Sequence, residues 1–275
     1  MSVMETPTGI EAIAEAFARA RADGRRAALM PYMMGGYPDL ATSRAIGLAY
    51  AEAGADLVEL GIPFSDPLAD GPVIHAAGTV ALRAGVTLSA VLEIARDLAA
   101  HLPVVVMCYS NPIFSQGLER FLDKLAGARV SGLIVPDLPL EEATEVRPAC
   151  RRRGLAFVPL VAPTTPAERL ERIGAGASGF LYTVSLTGTT GERSAVAGGL
   201  QTVIARAAAH TDVPVAVGFG ISTPEQAAEA AQAGADGVIV GSRLVRAAGE
   251  ADDPAAAVRE LVSEFSAALS GPALG

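Results

Sequence analysis

The chain has 275 residues, 51% of them hydrophobic, with a formal net charge of -9 and a pI near 4.9, a balance that argues against a nucleic-acid face. Mean hydropathy is high at +0.37, yet no window approaches the roughly 18 uncharged apolar residues of a membrane-spanning helix. The only cysteines, Cys108 and Cys150, lie far apart without metal-ligand or redox spacing, which predicts two unpaired thiols and no metal site.

Glu5, Glu11 and Glu15 break up the N-terminus, so it does not read as a signal peptide, and a cytoplasmic enzyme is expected. TGIEAIAEAFARARADG (8–24) carries a Thr8-x-x-Glu11 capping box with Ile10, Ile13 and Phe17 on one face, and predicts a helix. Short β-rich apolar runs follow at 28–34, 56–62, 103–109 and 132–138, then at 156–162, 179–185, 214–220 and 236–242. Ala-rich segments of helical period, such as 88–102 and 224–234, lie between them. One phrase recurs at the junctions: GADLVELG (54–61), GARVSGLIVPD (127–137), GAGASGFLYTVS (174–185) and GADGVIVG (234–241). Each is a glycine helix stop, a short polar step and a strand.

Eight such βα units predict a TIM (β/α)8 barrel, with the extra N-terminal helix covering the barrel bottom. A doubly wound open sheet is the alternative, but it rarely has eight evenly spaced strands without a Gly-rich dinucleotide turn. No linker divides the chain, so residues 1–275 are expected to form one domain. Arg151, Arg152 and Arg153 read as a solvated helix end favoured by the dipole.

Strand alternation then singles out one acid. In 56–62, Val58, Leu60 and Ile62 suit the helix-facing side, so Leu57, Glu59 and Gly61 point inward. A carboxylate inside a barrel is penalised by desolvation, which raises its pKa towards the range of a general acid or base. The loop after it, IPFSDPLADGP, starts at the C-terminal face where barrel active sites are built, and Pro63, Pro67 and Pro72 stiffen it. Asp70 or Asp66 is the second acid; Asp66 sits in SDP, where Asp often caps a turn. Three later junctions are Gly-rich: SLTGTTGE (185–192), GFGIS (218–222) and GSR (241–243). The last two, running into helices, have the layout of a backbone phosphate site that needs no lysine. The long polar segment after the sixth run, 186–199, reads as a lid.

ELGIPFSDPLADGP, with PYMMGGYPD, YSNP, VPDLP, TGTTG, GFGIS and GSR in order, resembles the tryptophan synthase alpha subunit family from about residue 10 to 269. That family cleaves indole-3-glycerol phosphate to indole and glyceraldehyde 3-phosphate in a retro-aldol reaction. The resemblance implies that Glu59 and Asp70 are the catalytic acids. Glu59 would protonate C3 of the indole and take a proton from the glycerol hydroxyl, while Asp70 would hold the indole N–H. It further implies phosphate contacts from Gly191, Gly220, Gly241 and Ser242, with Phe219 and Ile221 beside them. Thr190 and Tyr182 would attend the acids, Tyr32, Met107 and Ile134 would line the indole pocket, and Asp137 would buttress the acidic loop.

Met34, where many relatives have Thr, and Leu186, where some have Arg or Ser, depart from the pattern and touch pocket shape and lid polarity. His75, His101 and His210 match no catalytic position. The resemblance also implies an α2β2 complex in which indole passes to a beta subunit carrying pyridoxal phosphate, with no cofactor in this chain. Loop 63–72 and the YSNP loop would be the beta-facing surfaces. The alternatives are a stand-alone lyase, a related barrel acting on another phosphate, and a non-catalytic barrel serving as an allosteric partner.

Overall fold

The computed structural model describes residues 8–184, 193–218 and 220–270. Its nine strands are β1 (Ala28–Met34), β2 (Val58–Gly61), β3 (Val104–Met107), β4 (Gly132–Ile134), β5 (Ala156–Val158), β6 (Leu160–Val161), β7 (Leu181–Val184), β8 (Val215–Gly218) and β9 (Gly237–Val240). All pair in parallel, in the order β5-β4-β3-β2-β1-β9-β8-β7-β6. The two ends of that order, β5 and β6, are one run of chain interrupted at Pro159, so the sheet curls round to a TIM barrel. Proline has no N–H for a ladder, but its carbonyl still accepts from Tyr182 N at 3.0 Å. The fifth expected strand is therefore two short ones: its first half pairs with β4 and its second with β7.

The alternation expected in 56–62 holds. Val58, Leu60 and Ile62 pack outward in the layer between sheet and helices, whereas Leu57 joins the inner cluster with Met30, Val105, Ile134 and Ala216. The N-terminal helix, Gly9–Ala22, closes the barrel's lower mouth. Thr8 Oγ1 accepts from Glu11 N at 3.3 Å and Glu11 Oε2 from Thr8 N at 2.8 Å, completing the capping box. Its buried face, Ile13, Ala16, Phe17 and Ala20, belongs to the inner cluster, and the Phe17 ring lies 6.1 Å from that of Phe180.

The recurring polar step has a structural job. Asp56 Oδ2 accepts from Leu29 N at 2.8 Å, Ser178 Oγ from Phe157 N at 2.8 Å, and Asp236 Oδ2 from Val215 N at 2.9 Å. Asp56 and Asp236, each just before a strand, bind an amide at the start of the strand before it, and Ser178, before β7, binds an amide of β5, the first half of the preceding β5–β6 run. At three of its four occurrences the phrase is thus a bracket that ties strand starts together at the bottom edge. Asp56 also pairs with Arg25 at 2.6 Å, where both side chains are largely buried.

Other surface features are ordinary. Arg153 pairs with Glu119 and Asp123, both at 2.7 Å, so the triple-arginine cluster is partnered at this site. Cys108 and Cys150 are buried free thiols. No single helix among the described residues is long and apolar enough to cross a membrane.

Phe17→Ala should lower the free energy of unfolding by about 3–5 kcal/mol, the range for deleting a buried aromatic ring. Equilibrium urea unfolding checks this, and an unchanged midpoint would mean that the helix does not plug the barrel.

Candidate active site

At the upper ends of the strands lies a cavity of about 190 Å³, bordered by Tyr32, Glu59, Met107 and Tyr182 from the barrel and by Asp70 from the loop after β2. Glu59 sits at its floor. The residue is 2% exposed, and neither carboxylate oxygen has a hydrogen-bond partner among the described residues. Burial, with a smaller contribution from the charge of Asp70, pushes its pKa up from 4.5 to about 8. At neutral pH this carboxyl is mostly protonated.

Two tyrosines complete the floor, and two glycines make room for them. A Cβ on Gly61 would stand 2.1 Å from the Tyr32 hydroxyl, and one on Gly218 would stand 2.3 Å from that of Tyr182. Each glycine lies on a strand next to its tyrosine, so each phenol leans across the adjacent strand. Burial above all, and then nearby acids including Glu59, hold both phenols well above their ordinary pKa, so they stay neutral donors.

The loop after β2 separates its two acids clearly. Asp70 borders the cavity, and its Oδ1 accepts from Tyr109 Oη at 2.8 Å. The same hydroxyl accepts from Ala69 N at 3.0 Å, and the Tyr109 ring stacks on Phe64 at 5.2 Å. One side chain from the end of β3 therefore grips the acidic loop at three points. Burial raises the Asp70 pKa, while the Tyr109 bond and the charge of His75 pull it back. Asp66 is exposed, does not border the cavity, and bonds its neighbour Ser65. Of the two, only Asp70 borders the cavity.

Asp137 reaches this loop only at one remove. Its carboxylate accepts from Ser110 N at 2.9 Å and Ser110 Oγ at 2.7 Å, fixing the residue after Tyr109. YSNP itself opens a short helix, Ser110–Gln116, rather than a loop.

At the opposite rim, Gly220, Ile221, Gly241 and Ser242 border the same cavity. Gly220 has φ +81°, a conformation that favours glycine. Ser242 begins the helix Ser242–Glu250, whose cap residue, Gly241, supplies no side-chain bond, so the helix starts at the rim without a capping side chain. Ile134 departs from expectation. It pairs beside Met107 across β3 and β4 but is fully buried in the inner cluster, so it supports Met107 without bordering the cavity. Phe219, Thr190, Gly191 and Leu186 lie outside the described residues. Of the expected lid, the part from Arg193 onward belongs to the helix Arg193–Ala208.

Met34 is buried beside Tyr32, Ala77 and Val245, next to the cavity and not on its lining. Sequence reasoning missed Tyr109 as the holder of Asp70, although its motif was noticed. It also passed over Arg243 in GSR, which borders the rim. Among the described residues, no three His, Cys, Asp or Glu side chains gather as a metal site.

Residues 17–270 match the family model described as tryptophan synthase alpha chain. The chain is 52% identical over 236 residues to the tryptophan synthase alpha chain of Prochlorococcus marinus (strain MIT 9313), covering 85% of this chain and 86% of that one. It is 45% identical over 257 residues to that of Methanosarcina mazei, covering 94% of each. Among solved structures, a chain of Mycobacterium tuberculosis tryptophan synthase superposes with a TM-score of 0.86 at 39% identity, covering 94% of this chain and 98% of that one. A chain of the Pyrococcus furiosus tryptophan synthase α2β2 complex gives 0.82 at 38% identity, covering 88% and 98%.

The raised pKa of Glu59 has a consequence for stability. Its folded value near 8 exceeds the ordinary 4.5, so the folded chain binds the extra proton between those values. Stability is then fully present below pH 4.5 and declines as pH rises through 8. Glu59→Gln should remove that decline, gaining on the wild type by at most about 1.4 kcal/mol per pH unit across this window. Urea unfolding at several pH values tests this, and parallel stability curves would contradict it.

Proposed function

The chain belongs to the tryptophan synthase alpha chain family, and on that premise we propose that Glu59 and Asp70 are the residues by which it cleaves indole-3-glycerol phosphate to indole and glyceraldehyde 3-phosphate. The observation that carries the assignment is a carboxyl buried in the barrel without a partner, facing the same cavity as a second acid held in place by Tyr109.

The chemistry needs two acids in opposite states. Breaking the bond between indole C3 and the glycerol chain requires C3 to be protonated first, which disrupts an aromatic ring. Glu59, mostly protonated at pH 7, gives up that proton. Asp70 accepts a hydrogen bond from the indole N–H and stabilises the cation that spreads from C3 to the ring nitrogen. The carbon–carbon bond then breaks, its electron pair returns to the indole ring, and the glycerol hydroxyl becomes the aldehyde. Its proton returns to Glu59, which is ready for the next turnover.

Different surroundings suit the acids to these roles. Glu59 has no donor to steady its anion, whereas Asp70 accepts from a phenol and lies near His75. We assign the phosphate to the rim formed by Gly220, Ile221, Gly241 and Ser242, with Phe219 and Gly191 beside it and Thr190 in the lid. Tyr32, Met107 and Tyr182 would flank the indole, and Asp137 would steady the loop through Ser110.

The partner is a tryptophan synthase beta subunit in an α2β2 complex. This chain needs no cofactor in the proposed chemistry; pyridoxal phosphate belongs to the beta partner in this reading, which receives the indole. We place the enzyme in the cytoplasm and treat residues 1–275 as one domain.

Glu59→Gln should lower the rate of indole release by about 10³-fold, and Asp70→Asn by about 10²-fold, with both proteins folded. The wild-type rate should fall as pH rises through about 8, where Glu59 loses its proton. Indole release by the α2β2 complex measures both effects, and a Glu59→Gln enzyme at full rate would overturn the assignment.

A further inference from the structure

The rim of the cavity carries one feature that the proposed chemistry leaves unused. Among the described residues bordering it, Arg243 is the only basic one, and the acids bordering the same cavity are Glu59 and Asp70. Arg243 is exposed and makes no hydrogen bond or ion pair with any described residue. It also borders a shallow groove with Glu250, Glu260 and Glu264 and pairs with none of them.

Its place in the fold makes this unusual. Arg243 is the second residue of the helix Ser242–Glu250, whose first turn has no acidic residue and whose cap, Gly241, offers no side-chain acceptor. A cation there opposes the positive end of the helix dipole, where acids are favoured. A sequence that breaks a local rule at a cavity rim is expected to recover the loss when something binds. An anion seated over Ser242 would satisfy both the exposed N–H groups and the guanidinium. Among the described residues, the rest of the rim offers glycine and serine but no full positive charge, in a chain of net charge -9 that repels a dianion.

We propose that Arg243 is a substrate-positioning residue whose guanidinium binds the phosphate end of the substrate, adding a salt-sensitive ion pair to a site otherwise built from backbone groups. The proposal rests on the reading of the cavity given above for the identity of the phosphate ester. The guanidinium fork matches two phosphate oxygens, whereas a lysine would supply only a point charge.

The test compares wild type, Arg243→Ala and Arg243→Lys as full chains. Inorganic phosphate binding is followed by calorimetry, and indole release from indole-3-glycerol phosphate is followed in the α2β2 complex. Arg243→Ala should raise KM about fivefold to tenfold with kcat within about twofold, and should weaken phosphate binding by a similar factor. Arg243→Lys should recover part of each, and the difference from wild type should shrink as salt is raised. Without ligand, the alanine variant should melt at the same temperature as wild type or higher, because a cation has left the helix start.

An unchanged KM and unchanged phosphate affinity in Arg243→Ala would overturn the proposal. So would a lower melting point without ligand accompanied by a fall in kcat alone, which marks a structural role. If wild type released no indole, yet phosphate affinity still dropped in Arg243→Ala, the assigned reaction would fail and the anion contact would stand. A wild type that released indole but bound no phosphate at all would overturn the anion contact and leave the assigned reaction standing.

Discussion

One constraint organises the upper half of this barrel: an acid on β2 is held inside it, away from water and without a donor. Such a group is expensive to bury in its charged form, and the fold responds by keeping it protonated. Burial, and then the charge of Asp70, favour that state. Two phenols flank it, two glycines leave room for those phenols, and the lower barrel is filled by the N-terminal helix and a layer of apolar side chains. The burial that costs stability is also what places a proton donor at neutral pH. That is the usual bargain of an active site placed on a rigid scaffold.

The second acid is managed differently. Asp70 lies on a loop, where an unsupported carboxylate would wander, and Tyr109 from the end of β3 pins both its side chain and the neighbouring backbone. Asp137 on the next βα connection pins the residue that follows Tyr109. Three consecutive strand ends therefore cooperate to aim one carboxylate. At the bottom edge, Asp56, Ser178 and Asp236 repeat a simpler device, tying strand starts together and leaving the top edge free for chemistry.

Much of this is legible in the chain itself, for physical reasons. The βα rhythm, the capping box at Thr8 and the inward direction of Glu59 all follow from local periodicity, which a sequence displays directly. What fails to show depends on contacts between distant residues. SDPLADGP separates Asp66 from Asp70 only weakly, because the difference is a hydrogen bond from a tyrosine that lies 39 residues away. Ile134 is expected in the pocket from the family resemblance, but whether an inward side chain meets the cavity depends on how its neighbours fill the space above. The break at Pro159 was visible as a proline, though not its effect of handing the run from β4 to β7. Arg243 gives no signal of its own in the sequence, because the Gly-Ser before it already accounts for a phosphate site.

The account stands or falls on the protonation of one side chain. The direct measurement is a carboxyl ¹³C NMR titration of the full chain labelled at glutamate, compared with Glu59→Gln. A carboxyl that titrates near pH 8 in the wild type and vanishes in the variant is the predicted result. If every glutamate titrates near its ordinary value and the variant loses only one such signal, Glu59 is ionised at neutral pH, and the proposed proton donor does not exist.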